Sequence, residues 1–194
     1  AGTGRHFALT ETARCMAARG LLQSDQIASL DLALYPNSGA EKLFLQDLYA
    51  ALYAPGEIVV FEHYESCYPG FLKTISDLAV KGSAPLSSRY LVNKEGILVD
   101  AGTALAPGAV SRIDPRGKYL IFFSNKGREA MADHFGAAFV SALGGVCTTT
   151  PFAREDLAAL AAQKLNALAR KVQTRLGLTL SAGADVRDHV AARC

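Results

Sequence analysis

The sequence predicts an α/β fold: a mostly parallel sheet sandwiched by helices, followed by a small α+β tail subdomain. Two continuous apolar runs, Glu57–Phe61 and Lys118–Phe123, are typical of strands buried on both faces, as in the centre of a parallel sheet. Segments with helical periodicity alternate with these strands, and that alternation favours right-handed crossovers. After Gly144-Gly145 the pattern becomes helix, short strand and helix, which indicates a second unit.

Before the first apolar run, the periodicity of the chain predicts two helices and one strand. A helix is predicted over Thr10–Arg19, and Gly20 ends it. A short strand follows over Ile27–Leu34. The breakers in Tyr35–Gly39 indicate a turn, and Ala40–Tyr53 has the three- and four-residue apolar spacing of a helix.

Between the two apolar runs lies a helix and then a long segment punctuated by glycine and proline. The helix is predicted over Pro69–Val80, because proline is well tolerated in the first turn. The long segment is Ser83–Arg116, in which Tyr90–Val92 and Gly96–Val99 are predicted to form a hairpin. After the second run, Arg128–Leu143 is predicted to be one helix.

The tail is predicted to be a helix–strand–helix unit. Glu155–Leu176 has a leucine stripe opposite a basic face, which is the pattern of an amphipathic helix. Leu178–Leu180 is predicted to be a short strand and Ala184–Arg193 a last helix. We therefore predict an α/β domain over residues 1–145 and a small helical subdomain over residues 150–194.

The composition excludes several classes of protein. Of 194 residues, 50% are hydrophobic and 20% charged, which is enough apolar mass for a core. A net charge of +2 gives no reason to expect nucleic acid or a membrane surface as a partner, and no apolar run is long enough to span a bilayer. We expect reduced thiols and a cytoplasmic location, because the four cysteines are far apart and lack metal-ligand spacing: Cys15, Cys67, Cys147 and Cys194.

Several common catalytic motifs are missing from the sequence. It has no G-x-S-x-G elbow of a serine hydrolase and no G-x-G-x-x-G dinucleotide fingerprint. Aromatic and basic residues are not interleaved in the manner of a nucleic-acid interface. The sequence therefore favours none of these activities.

The strongest motif follows the first apolar strand. Val59–Pro69 consists of an apolar strand, Glu62, His63, an aromatic residue, Glu65 and, after three more residues, Pro69. This segment resembles the Walker B stretch of Clp-type AAA+ unfoldases. In that pattern Glu62 falls at the aspartate that holds the magnesium shell, and His63 falls at the glutamate that polarises the attacking water.

Two further segments continue the resemblance in the same order along the chain. Tyr119–Asn125 is similar to the sensor-1 strand, which ends in Ser-Asn, and Pro151–Leu157 is similar to the entry into the small C-terminal domain. Together they resemble the second ATPase module of the Clp-type unfoldases, which are chaperone ATPases. The resemblance implies an AAA+ or P-loop-like fold, ATP and Mg²⁺ as cofactors, and assembly into homo- or hetero-oligomers with other protein subunits.

The catalytic candidates that this resemblance supplies each have a second interpretation. Glu62 is either a magnesium ligand and catalytic residue or a strand-end carboxylate. His63 is either a general base, since imidazole titrates near neutrality, or a position that has lost its role. Glu65 is a catalytic candidate or a solvated residue at the strand's exit. Asn125 either orients a water molecule or is a turn residue.

The phosphate loop is where the sequence departs most from the family. The corresponding stretch is Gly2–Thr10, in which Thr3, Gly4 and Arg5 are the cofactor-binding candidates. No Gly-Lys-Thr/Ser follows, so the ammonium for the phosphates and the hydroxyl for magnesium are both missing. Arg5 and His6 could meet an anion, or they could belong to a frayed terminus.

Two other elements of the family pattern are also weak. Ala142 stands at the position of the arginine finger, whose loss typically costs orders of magnitude in rate. Tyr35–Gly39 lies near the position of the substrate-gripping pore loop but is short. We therefore expect a degenerate ATPase module with weak or no nucleotide binding. The alternatives are an active ATPase with atypical residues, and a non-enzymatic interaction module that uses Ser83–Arg116.

Overall fold

A computed structural model describes residues 4–102 and 107–193. The described chain divides into two compact units: a body, Arg5–Cys147, and a tail unit that contains Gly4 together with residues 148–193. Thr3, one of the cofactor-binding candidates, lies outside the described residues, as does Cys194.

Seven helices and six strands are found in the described residues. The helices are α1 (Arg5–Ala18), α2 (Glu41–Tyr53), α3 (Pro69–Lys81), α4 (Arg128–Phe135), α5 (Ala137–Ala142), α6 (Arg154–Leu176) and α7 (Ala184–Ala191). The strands are β1 (Ile27–Asp31), β2 (Ile58–Glu62), β3 (Ala84–Val92), β4 (Leu98–Asp100), β5 (Val110–Ile113) and β6 (Tyr119–Phe122). Short 3-10 helices span Leu32–Leu34, Ser38–Ala40 and Tyr64–Ser66.

The body contains a parallel sheet with the strand order β1-β2-β6, so the predicted α/β class is confirmed. Strand β2 is central, as its continuous apolar run predicted. Val59 and Phe61 belong to the larger core, which includes α2 and α3, whereas Ile58 and Val60 pack with Ala13 of α1. Because alternate residues of a strand face opposite sides, helices cover both faces of this sheet.

A second, antiparallel sheet has the strand order β4-β3-β5. The predicted hairpin is present, with Tyr90–Val92 paired to Leu98–Asp100. Strand β5 was not predicted, because Val110–Ile113 is short and carries two polar residues. The expected parallel sheet between helices is thus present, and an antiparallel sheet with the same number of strands accompanies it.

The first helix begins earlier than predicted. Arg5–Thr10 form the first turns of α1 instead of a phosphate-binding loop. No glycine follows Gly4 in this stretch, so nothing in it interrupts a helix once Arg5 has entered one. The predicted loop of Gly2–Thr10 is therefore helical over most of its length.

The predicted helix Arg128–Leu143 is divided into α4 and α5. Gly136 separates them with φ 87° and ψ 160°, backbone angles that a helix cannot contain and that glycine adopts readily. Its N–H donates to the carbonyl of Ala132 at 2.9 Å, which closes α4. Phe135 and Phe139, on either side of the break, stack with ring centroids 4.3 Å apart.

The tail unit consists of α6 and α7. Asp156 accepts the backbone N–H of Ala153 at 2.9 Å where α6 begins, and Gly177, at φ 66°, follows its end. Leu178–Leu180 is not a strand, so the predicted α+β tail is wrong; no described segment of the tail lies beside these three residues as a partner strand. Among the residues described, no helix combines the length and the apolar character needed to cross a membrane.

Candidate functional site

The candidate site lies at the carboxyl edge of the parallel sheet, where ligands commonly bind in open α/β sheets. Strand β1 ends at Asp31 and β2 ends at Glu62, and these two residues are partners in the register. Strand β6 leads directly to Ser124 and Asn125 at the same edge. The first turn of α1 also reaches this edge, because Arg5 and His6 contact residues that follow β6 or end β2.

Arg5 and Asn125, two predicted site residues 120 positions apart, are brought into direct contact. The guanidinium of Arg5 donates to the side-chain oxygen of Asn125 at 2.7 Å and to the backbone carbonyl of Ser124 at 2.6 Å. It also lies over the ring of Phe123, 5.4 Å from the centroid. These contacts fix Arg5 against the segment after β6.

Glu62, the predicted magnesium ligand, is paired with His6. Nε2 of His6 lies 3.1 Å from a carboxylate oxygen of Glu62, whose side chain is only 19% exposed. The ring of His6 packs edge-on against Phe123, with centroids 4.8 Å apart. The sequence indicated that His6 could contact a bound anion. In the structure His6 contacts the carboxylate of Glu62 within the protein.

His63, the predicted base, forms a hydrogen-bonded pair with Asp31. Its Nδ1 lies 2.8 Å from Oδ1 of Asp31. This hydrogen bond raises the pKa of His63 above its ordinary value and lowers the pKa of Asp31 below its own. His63 also has φ 52° and ψ 38°, a left-handed conformation that is strained for a residue with a Cβ.

Asp31 and Tyr64 belong to this edge, although the sequence did not indicate them. The predicted strand continued to Leu34, so Asp31 would be one of its inner residues. In the structure Asp31 is the last residue of β1, and its carboxylate accepts the N–H of Ala33 at 3.1 Å. Tyr64 is fully buried, and its hydroxyl is 2.8 Å from Oγ of Ser124. Burial raises the pKa of Tyr64, so its hydroxyl is a neutral hydrogen-bonding group.

The remaining predicted site residues do not join the contacts at the edge. Glu65 lies in the 3-10 helix Tyr64–Ser66. After the contact with Asp31, which is the larger cause, the negative charge of Glu65 also contributes to the raised pKa of His63. Gly4 has φ 69° but belongs to the tail unit. Ala142 is the exposed last residue of α5, so the finger position provides no cation.

Several features of this edge bear on whether it could hold Mg²⁺-ATP. No group of three or more His, Cys, Asp or Glu side chains within residues 4–102 and 107–193 is arranged to hold a metal ion. Glu62, the predicted metal ligand, is paired with His6, and Arg5, a predicted cofactor-binding residue, is bound to Ser124 and Asn125. A nucleotide would have to replace these contacts without a P-loop lysine or hydroxyl to compensate.

Comparison of the chain with protein-family models and with curated proteins finds no match.

Proposed function

We propose that this protein is a degenerate ATPase module of the Clp-type AAA+ class that binds nucleotide weakly or not at all. It acts through its fold, as an assembly or interaction domain beside other protein subunits. The proposal rests on the order of the Walker B-like, sensor-1-like and small-domain-like segments. A cytoplasmic location is part of it, since Cys15, Cys67 and Cys147 are free thiols, as in a reducing compartment.

One observation supports the proposal that nucleotide binding is weak or absent. The polar groups at the carboxyl edge bind one another: Arg5 with Asn125, His6 with Glu62, and His63 with Asp31. A ligand at this edge must first break such contacts, and their loss subtracts from its affinity. The chain lacks the phosphate-loop lysine and hydroxyl whose contacts with the nucleotide would offset that loss of affinity.

A second candidate function, an atypical working ATPase, is favoured by the Asp31–His63 pair. A carboxylate that accepts from one ring nitrogen of a histidine orients the imidazole and raises its basicity, as in known acid–base sites. In this alternative His63 or Glu65 would activate the attacking water, and Glu62 would be the metal ligand. The alternative requires that His6 release Glu62.

An ATPase assay on the full chain at high Mg-ATP concentration separates these two functions. We expect no turnover above background, and little rescue by His63→Glu, because the binding loop and the finger arginine are also missing. Turnover by the unmodified chain that is lost in Glu62→Gln or His63→Ala, and kept in the control Glu129→Gln, would establish the working ATPase instead.

The third candidate, a pure interaction module, is favoured by the antiparallel sheet. Val92, Ile97 and Val99, around the tip of the β3–β4 hairpin, are 38–48% exposed. Replacing residues 83–116 with a short linker should leave assembly intact if the fold as a whole mediates assembly. Loss of assembly, with the parallel sheet still folded by circular dichroism, would assign the interaction to this segment.

A further inference from the structure

A cavity of about 220 Å³ opens between α2, the start of α3 and β3, away from the carboxyl-edge residues. Buried Phe44 and Phe71 form its floor, with their rings stacked 4.5 Å apart. Tyr68, 37% exposed, stands at its mouth and packs edge-on against Phe71, with centroids 5.2 Å apart. Three aromatic rings therefore line one small cavity.

Glu41 is the one charged residue that lines this cavity, and it carries a negative charge. It is exposed and forms no ion pair with any residue in the described ranges. Thr74 and Ser87 also line the cavity, and the hydroxyl of Thr74 donates to the carbonyl of Gly70 at 3.3 Å. The face of the Tyr68 ring is also electron-rich, whereas the buried rings of Phe44 and Phe71 are stacked on each other. The groups that attract a cation here are therefore Glu41 and Tyr68.

The size of the cavity limits what can occupy it. Sites for drug-sized ligands usually measure ~300–1,000 Å³, so about 220 Å³ suits a single long side chain better than a nucleotide or a cofactor. An aromatic wall with one carboxylate fits a cation on an apolar stem. Arginine fits better than lysine, because its planar guanidinium stacks on rings and donates two parallel hydrogen bonds to a carboxylate.

The strand beside the cavity is irregular where it lines the cavity. Strand β3 pairs with β5 at Ala84 and Pro85 and again at Tyr90, and residues 86–89 depart from that register. Its pairing with β4 covers Tyr90–Val92, and the N–H of Ala101 also donates to the carbonyl of Arg89 at 2.8 Å. Pro85, Leu86 and Ser87 line the cavity, so a ligand that enters it lies beside this irregular part of β3.

We propose that this cavity is a docking site for an arginine side chain on an extended segment of a partner protein. Glu41 binds the guanidinium, the ring of Tyr68 contacts its face, and Phe71 and Leu86 lie beside its stem. The site is independent of the proposed loss of nucleotide binding, so either proposal can fail alone.

The probe is the blocked peptide acetyl-Gly-Arg-Gly-amide, titrated into the ¹⁵N-labelled full chain. We expect saturable amide shifts at Gly70, Thr74 and Ser87, with a dissociation constant on the order of 1 mM. The same peptide with citrulline, which has the shape of arginine without its charge, should bind about tenfold more weakly. Equal binding of both peptides, or no saturable shift up to about 20 mM, would overturn the proposal.

Two variants test whether Glu41 and Tyr68 contribute to binding of the arginine peptide. Glu41→Gln should weaken arginine-peptide binding about tenfold, whereas Glu129→Gln, a matched glutamate in the first turn of α4, should not change it. In Gly70→Ala the added Cβ would lie 2.6 Å from Cε1 of Tyr68, so the ring must move. We expect weaker binding with an unchanged melting temperature; wild-type affinity in either Glu41→Gln or Gly70→Ala would contradict the site.

Discussion

The carboxyl edge of the parallel sheet and the Glu41 cavity differ in whether their charged groups are paired with other residues. At the edge, Glu62 is paired with His6 and Arg5 with Asn125. At the cavity, the carboxylate of Glu41 has no ion-pair partner among the described residues, and aromatic rings line the space beside it. The carboxyl edge carries the Walker B-like segment, but its charged groups already bind each other. The charged group at the cavity, Glu41, has no such partner among the described residues.

The largest difference should appear between two tyrosines, one in each region. Tyr64 is fully buried below the edge, so Tyr64→Ala should lower the free energy of unfolding by about 3–5 kcal/mol. Tyr68 stands at the mouth of the cavity, and Tyr68→Ala should cost about 1 kcal/mol or less. Urea denaturation measures both. Equal losses would show that the edge is not the more rigidly packed region.

A smaller effect should separate two substitutions of His63. Both His63→Ala and His63→Gly remove the hydrogen bond to Asp31, but only glycine relieves the left-handed backbone at φ 52°. We therefore expect the glycine variant to be more stable than the alanine variant by about 1 kcal/mol. Thermal unfolding of the two proteins side by side is the measurement, and an alanine variant of equal or greater stability would refute the strain.

The smallest effect concerns the pH dependence of the Asp31–His63 pair, whose side chains are both about half exposed. The raised pKa of His63 means that its stabilisation is present below its unfolded value of about 6.5 and is lost as pH rises through the folded value. The lowered pKa of Asp31 means that its stabilisation is present above about 3.9 and is lost as pH falls through the folded value. The pair should thus stabilise most between these limits.

Asp31→Asn tests this pair directly. The pKa of His63, followed by NMR of its ring protons, should fall in the variant, because the neutral amide no longer stabilises the imidazolium. An unchanged pKa for His63 would mean that the pair does not persist in solution.

The parts of the fold that the sequence predicted well are those with strong local patterns. The unbroken apolar run of β2 fixed its place at the centre of the sheet, and the turn residues between Val92 and Leu98 marked a hairpin. Gly136 was missed because a helix tolerates a single glycine, and only its φ of 87° shows the break. Leu178–Leu180 alternates like a strand, but a strand needs a partner that local pattern cannot supply.

The sequence indicated which polar residues follow the strands but not which partners they contact. Glu62, His63 and Asn125 do meet at one edge, as parallel strands with adjacent carboxyl ends require. The sequence could not show that Arg5 would be bound by Asn125, because the contact depends on how α1 packs against a strand more than a hundred residues away. Asp31 was missed for a local reason: its strand ends three residues earlier than the pattern indicated.

We propose that the carboxyl edge does not bind nucleotide, because its polar groups contact one another and the phosphate-loop lysine and hydroxyl are missing. Isothermal titration calorimetry of Mg-ATP into the full chain tests this most directly. We predict no saturable heat up to about 1 mM nucleotide, with or without Arg5→Ala, since removing the guanidinium does not restore the missing lysine and hydroxyl. A dissociation constant in the low micromolar range for the unmodified chain would contradict the claim.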